Sequence, residues 1–462
     1  MGRISILFVL RAAAPLVFAL ASFGTAAQFS NPARAPAQGG RLLEPPATVR
    51  TLVTAAIDAR TEPWLRALTG PARCDVRVVA LNYQTRGVWG ERANASAALL
   101  IPSGACAQEE FPLIAYGKAT DVEKPRTLAN PADPETFELI AMYAAHGYAV
   151  VASDYLGFAR STYAFHPFLH ADSEATTLVD AVRAARRAME SQGEIAPSLV
   201  LLAGYSQGGH ASAAAQRLIE QHPDDAFDVV GAAHLSAPLN LSGAIRLEPP
   251  ILGYQFFIPY LLTSWQKIYG DLYQEPIEAF RLPYARRIEP LLPHATLNFD
   301  TLVTTGALPG GSPAQARSAL LQGDYVTAVR TQPGHPARRN ARRNDMLGWN
   351  PRAPTLLCGG SGDPTVPPAV HQAVAMEDFA RRGLTNVTAV DVDPQVQTTF
   401  GPGGVAPPVP GSSEYASYYA SYHAGYARPL CDAQARAHFN RLLEMGAQQP
   451  RGVAEVPILV PR

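Results

Sequence analysis

Gly204-Tyr205-Ser206-Gln207-Gly208 sets one serine between two glycines. The aliphatic residues 199–203 before it read as a strand buried on both faces, and the alanine-rich residues 211–220 after it read as a helix. A serine at so sharp a strand-to-helix turn is a nucleophile elbow. Glycine two positions to either side removes side chains that would collide, and the hydroxyl stands at the carboxyl edge of the sheet. The chemistry open to such a serine is attack on an acyl carbonyl. It then needs a base to take its proton, an acid to orient the base, and N–H donors for the oxygen that becomes negative.

Asp363 and His423 follow the serine in the order that chemistry uses. Asp363 lies in a loop just past the apolar residues 355–358, so it falls on the same sheet edge as Ser206. Its bland reading is an Asx turn or helix cap before Pro364. Asp391 and Asp393, at the end of the next strand, are the fallback acids. Of eleven histidines, only His371, His423 and His438 lie beyond Asp363. His371 and His438 fall inside predicted helices, whereas His423 falls in a predicted loop between the last strand and the last helix. The oxyanion donors are expected from the N–H of Gln207 and from the loop at 117–121. There Ala119 is the favoured donor, with Lys118 and Thr120 beside it and Asp121 as an orienter. His210 is expected to pack beneath the site, and Asp154 to pair with Arg160. Pro167 disfavours a helix that would pair His166 with His170 on a metal.

The elements that must position these residues alternate. Residues 48–68 have helical periodicity. Residues 75–83 and 95–101 read as antiparallel strands around a turn at 87–94, and 111–116 as the next strand. Then come a helix (134–146), a strand (148–153), a helix (172–192), the serine strand with its helix, and a strand (227–235). Such alternation implies βαβ units and an α/β fold with a mostly parallel, doubly wound sheet. It stops over residues 240–350, a length that points to an inserted helical cap rather than a loop. The aromatic residues 251–265 within it are either the core of the insertion or the lining of an acyl or aromatic pocket. Strand 355–358, helix 368–382 and strand 386–392 resume the pattern. A Gly/Pro-rich loop (401–413), a tyrosine-dense stretch (415–426) and a last helix (432–445) complete it. The expected division is a signal peptide (1–27), a flexible leader (28–46), a core in two parts (47–239 and 351–462) and the insertion (240–350).

The 462 residues are 47% hydrophobic and 17% charged, with formal net charge −1, which speaks against nucleic-acid binding. Met1-Gly2-Arg3, the apolar residues 12–23 and the small residues 24–27 form a secretory signal pattern, so a secreted or periplasmic location is expected. In an exported chain four cysteines favour two disulfides. Three pairings exist. Cys74–Cys106 with Cys358–Cys431 is preferred, because the second bridge would join the loops of the acid and the base.

Leu202-Ala-Gly-Tyr-Ser206-Gln-Gly-Gly-His210, with Val150-Val-Ala-Ser-Asp154-Tyr-Leu-Gly157 upstream, resembles the secretory lipase (fungal lipase A-like) family of α/β-hydrolases and its bacterial relatives. Asn344-Asp-Met-Leu-Gly-Trp349 and Asp363-Pro-Thr-Val-Pro367 are similar to the same pattern, and the likeness covers residues 111–445. It implies an α/β-hydrolase fold with a helical lid at 240–350, a Ser206, Asp363, His423 triad, and a serine esterase or lipase acting without cofactor or metal. The implied partner is a small ester or lipid, met at times at a lipid interface. The chain departs from its bacterial relatives at Lys118-Ala119-Thr120, where they tend to carry His-Gly-Thr. An acyltransferase, a peptidase or a polyester depolymerase would use the same machinery. A non-catalytic binding protein of this fold would not need it.

Overall fold

The computed structural model describes residues 39–222 and 228–448. The expected signal peptide and residues 28–38 of the expected leader lie outside the described residues.

Nine strands form one sheet: β1 (Ala47–Leu52), β2 (Asp75–Arg86), β3 (Arg92–Ser103), β4 (Leu113–Gly117), β5 (Ala149–Tyr155), β6 (Leu199–Tyr205), β7 (Asp228–Leu235), β8 (Thr355–Gly359) and β9 (Val387–Asp391). Their order is β1-β2-β3-β5-β4-β6-β7-β8-β9. The first three strands are antiparallel, and from β5 to β9 every neighbour is parallel. This is the expected α/β architecture.

Period-two alternation explains why helices cover both faces. Leu113 and Ala115 of β4 enter one core with Leu178 and Val182 of helix Ala171–Ser191. Ile114 and Tyr116 point the other way, into a core with Phe137 and Ile140 of helix Pro134–Met142 and Phe439 of helix Arg428–Gln448. Each fully buried Leu or Ile here contributes about 1.5–3 kcal/mol relative to exposure. In register, Gly117 of β4 lies between Ser153 of β5 and Gly204 of β6. Three carboxyl ends of strands therefore meet where the serine emerges.

Two expectations for the amino-terminal part need correction. Residues 39–46 are not a free leader, since Gly40, Arg41 and Leu43 exchange backbone hydrogen bonds with Asn82 and Gln84 of β2. The helix expected over 48–68 is instead β1 followed by helices Thr54–Arg60 and Pro63–Thr69. Thr48, Val49 and Thr51 are β-branched or strand-favouring, and the free edge of β2 supplies the hydrogen bonds that decide between the two forms.

Between β7 and β8 the chain folds as short helices around Trp265, Phe280, Leu302 and Leu308. In the longest, Tyr254–Tyr269, the two faces of the aromatic stretch meet different surroundings. Tyr254, Phe257, Ile258 and Leu261, at i, i+3, i+4 and i+7, line a cleft, while Tyr260 and Trp265 are buried in the core of the insertion.

Both disulfides pair as expected. Cys74–Cys106 closes the end of the β2–β3 hairpin, and Cys358–Cys431 ties the end of β8 to the last helix.

Candidate active site

Ser206 joins β6 to helix Gln207–Gln221 with φ 57 and ψ −120, a region few non-glycine residues enter and one that costs about 1–3 kcal/mol. The turn is held by the Ser206 N–H on Leu235 O at 2.9 Å and by the Gly209 N–H on Ser206 O at 2.9 Å. It also needs bare backbone on both sides. A Cβ on Gly208 would lie 1.8 Å from Gly117 O, and one on Gly204 would lie 2.2 Å from Gly208 O. The two glycines flanking the serine thus let β4, β6 and the helix start pack without side chains between them.

The residues singled out as base and acid come to this serine. His423 Nε2 lies 2.8 Å from Ser206 Oγ, and His423 Nδ1 lies 2.6 Å from Asp363 Oδ2. All three residues are buried. Asp363 also fulfils its bland reading, because its Oδ1 accepts the N–H groups of Thr365 and Val366 at 2.9 and 3.1 Å. One oxygen is fixed by the turn and the other faces the imidazole. The fallback acids are engaged elsewhere: Asp391 caps the Ser361 and Asp393 N–H groups, and Asp393 accepts from the Tyr422 hydroxyl.

His423 does not sit in a loop, as expected, but in a π-helical turn, Tyr422–Ala427, between helices Ser413–Ser421 and Arg428–Gln448. The tyrosines explain the difference. Ser412 caps the first helix, and the rings of Tyr418, Tyr419, Tyr422 and Tyr426 pack on one another with Phe400, which gives the stretch a reason to coil. The wide turn brings His423 O to the Tyr205 hydroxyl at 2.5 Å, and the two rings lie 5.0 Å apart.

The oxyanion loop departs most from expectation. The Ala119 N–H, the favoured donor, is given to Glu135 Oε1 at 2.9 Å. Lys118 points away from the cleft, with its ammonium 3.8 Å above the Phe158 ring and 3.3 Å from Asp121. Thr120 is the loop residue that lines the cleft beside Ser206 and Gln207. Asp121 faces inward, to Lys118 and Arg126, and so braces the loop. Burial alone would raise its pKa, but these two cations outweigh that and lower it. Arg126 holds Asp121, Asp133 and Glu135 together. Neither Glu135 nor Arg126 stood out in the sequence, where a buried helical glutamate was the one available sign.

Beneath the serine a second polar network forms. The Gln207 side-chain amide donates to His166 Nε2 and Glu174 Oε1, both at 2.7 Å. Glu174 Oε2 meets His210 Nδ1 at 2.6 Å, and His210 Nε2 donates to Asn344 O at 2.8 Å. His210 therefore packs beneath the site, as expected. Burial pushes the pKa of His166 down to about 3, so its ring is neutral, with Nδ1 on Leu156 O. Asp154 does not pair with Arg160, which reaches Glu44 instead; it accepts from Ser96, Thr127 and the Leu128 N–H. His371 forms part of the cleft wall, its pKa pushed down to about 3 by burial. His438 lies in the last helix, 3.4 Å from Pro354 O. Among the described residues no group of His, Cys, Asp and Glu could hold a metal.

Ser206 opens into a cleft whose walls are largely aliphatic and aromatic, from the insertion on one side and Val366 and His371 on the other. Such a cleft suits an apolar acyl or alkyl group.

Comparison with known proteins fits this geometry. The family model for secretory lipase matches residues 133–272. The rice cell wall degrading esterase LipA from Xanthomonas oryzae is 31% identical, with TM-score 0.74 over 88% of this chain and 99% of that one. Candida antarctica lipase A, 17% identical over 76% of each chain, shares the fold with TM-score 0.53. No curated protein sequence matches the chain. With its elbow, its mostly parallel sheet and a relative matched over nearly that relative's whole length, the chain belongs to the secretory lipase family of α/β-hydrolases and is an ester-hydrolysing enzyme.

Proposed function

We propose that Ser206, His423 and Asp363 form the catalytic triad of an exported carboxylic-ester hydrolase. The observation that carries this reading is the continuous chain from Ser206 Oγ through His423 to Asp363, at 2.8 and 2.6 Å. His423 Nε2 takes the Ser206 proton as Oγ attacks the ester carbonyl. Asp363 Oδ2 keeps the other imidazole proton on Nδ1 and stabilises the ring when it becomes charged. The oxyanion receives the N–H of Gln207, one of the first-turn donors that helix geometry leaves without an intrahelical acceptor, and the N–H of Thr120. The alcohol leaves with the proton from His423. Water then repeats the sequence on the acyl-enzyme and frees the acid. The helical insertion acts as the lid and the wall of the acyl site.

Export is supported by the family and by two disulfides, which persist in oxidising compartments. Ser206→Ala should abolish hydrolysis of short para-nitrophenyl esters and labelling by a fluorophosphonate while the thermal unfolding midpoint stays near wild type. Hydrolysis retained in that variant would overturn the assignment of the serine.

A further inference from the structure

Arg246, Arg317 and Arg330 line the cleft that holds Ser206, and no Asp or Glu is among its lining residues. Three guanidiniums along an otherwise apolar cleft are unusual, because charge near low-dielectric walls is disfavoured unless it is paired. The pairing here is incomplete. Arg317 forms a fork with Glu248 at 2.5 and 3.0 Å, and Arg330 reaches the same carboxylate at 3.5 Å. The Arg246 side chain has no ion-pair or hydrogen-bond partner among the described residues. One carboxylate thus serves two of the three cations, leaving a formal excess of two positive charges. A further guanidinium lies near Arg246. Desolvation, then the Arg246 and Arg342 guanidiniums, push the pKa of Arg338 down, and Arg338 Nε is buried without a partner. His371, neutral near pH 7, adds no charge and no compensation.

We propose that this cleft selects esters bearing a second, anionic group, a free carboxylate, which Arg246 receives at the lip with Arg330 and Arg317. The proposal rests on Ser206 being the ester-attacking nucleophile. A guanidinium fork matches a carboxylate bidentately, and beside apolar walls the pair is screened less than in open water. The apolar stretch between serine and arginines would hold the methylenes separating ester from acid. The carboxylate can sit at the far end of the acyl chain or on the alcohol, and both arrangements present the same chemistry to the arginines. Arginine stems that merely cover apolar surface would show no such selectivity.

The test compares matched ester pairs with the full-length mature enzyme. In the acyl arm, para-nitrophenyl hexanoate, octanoate and decanoate are set against the para-nitrophenyl half-esters of adipic, suberic and sebacic acids. In the alcohol arm, phenyl butyrate is set against the butyrate of para-hydroxybenzoic acid. The reading is the ratio of kcat/KM for the carboxylate ester to that for its neutral partner. In at least one arm the wild-type ratio should exceed that of Arg246→Met by about 10-fold or more, as loss of a charge-assisted bond requires. Arg246→Lys should fall between them, and added salt should narrow the gap. Ratios that are equal in wild type and Arg246→Met in both arms overturn anion recognition while leaving the hydrolase reading intact. If neither the neutral nor the carboxylate esters turn over in the wild type, the reading of Ser206 fails and the proposal goes with it.

Discussion

The Gln207 side-chain amide nitrogen lies 2.7 Å from His166 Nε2, and the same nitrogen lies 2.7 Å from Glu174 Oε1. His166 Nδ1 is already on Leu156 O, so a neutral ring presents a bare Nε2, and both amide hydrogens of Gln207 are used. Gln207, whose backbone N–H is the proposed oxyanion donor, is thereby fixed from below.

Gln207→Leu removes both side-chain bonds and keeps the backbone donor. Losing a whole oxyanion donor costs roughly 100- to 1000-fold in kcat, so a donor merely loosened should lose about 10- to 100-fold. KM should stay within about twofold, since the effect lies in the transition state. Steady-state kinetics on a soluble ester checks this. A raised KM with kcat intact would place Gln207 in substrate binding instead.

Arg126 braces the loop proposed to hold the other oxyanion donor. It bonds Asp121, Asp133 and Glu135, and Glu135 holds the Ala119 N–H. Arg126→Leu leaves three carboxylates facing each other with little solvent, and breaking such a pair costs about 3–5 kcal/mol. Urea unfolding should show that loss, with a fall in kcat as the loop 117–121 relaxes. Arg126→Lys should recover part of both, because it restores the charge but not the fork.

What the sequence makes legible follows from where each group finds its partner. Ser206, Asp363 and His423 could be read because chain order and position at strand ends are local properties, and the structure brings them into contact. The Ala119 N–H is not legible because it meets a side chain sixteen residues on, a tertiary contact with no local signature. Asp154 hides its partners for the same reason: Ser96 and Thr127 reach it from other elements, and Arg160 turns to Glu44. The edge strand at 47–52 is hidden because helical periodicity there competes with pairing to residues 76–80, a contact with no local signature. The aromatic stretch 251–265 carried a period of 3.6, but periodicity cannot say what each face meets.

Cys358–Cys431 joins the strand that leads to Asp363 with the helix that follows His423, across 73 residues. A loop of that size gives a chain-entropy contribution of about 4 kcal/mol. Replacing both cysteines by alanine should lower the unfolding midpoint and also kcat, because the acid and the base lose their shared tie. The pair Cys74–Cys106 closes a hairpin end away from the cleft, so its removal should affect stability and spare kcat. Calorimetry with kinetics on the two double variants separates these outcomes; equal kcat losses would contradict the positional role of the second bridge.

Acid should unfold this protein from an unusually mild pH. Burial pushes His166, His234 and His371 down to about 3 and His146 and His170 to about 4, all below the ordinary histidine value of 6.5. A lowered folded pKa means the unfolded chain binds the proton first. The stability these groups contribute is therefore complete above about pH 6.5 and is lost as pH falls toward 4. Each histidine adds up to about 1.4 kcal/mol per pH unit to the slope. Asp432 works in the opposite direction: burial raises its pKa, so the folded state holds a proton there that the unfolded state releases, which offsets part of the loss. Urea unfolding between pH 7.5 and 4 should give a flat region above about pH 6.5 and a steep decline below it. His234→Gln tests one member away from the triad, since His234 bonds only Ser212 and Gln216. It should shallow the decline by about one proton while lowering stability at pH 7. A slope unchanged by that variant would mean His234 is charged in the folded protein or that carboxylates govern the transition.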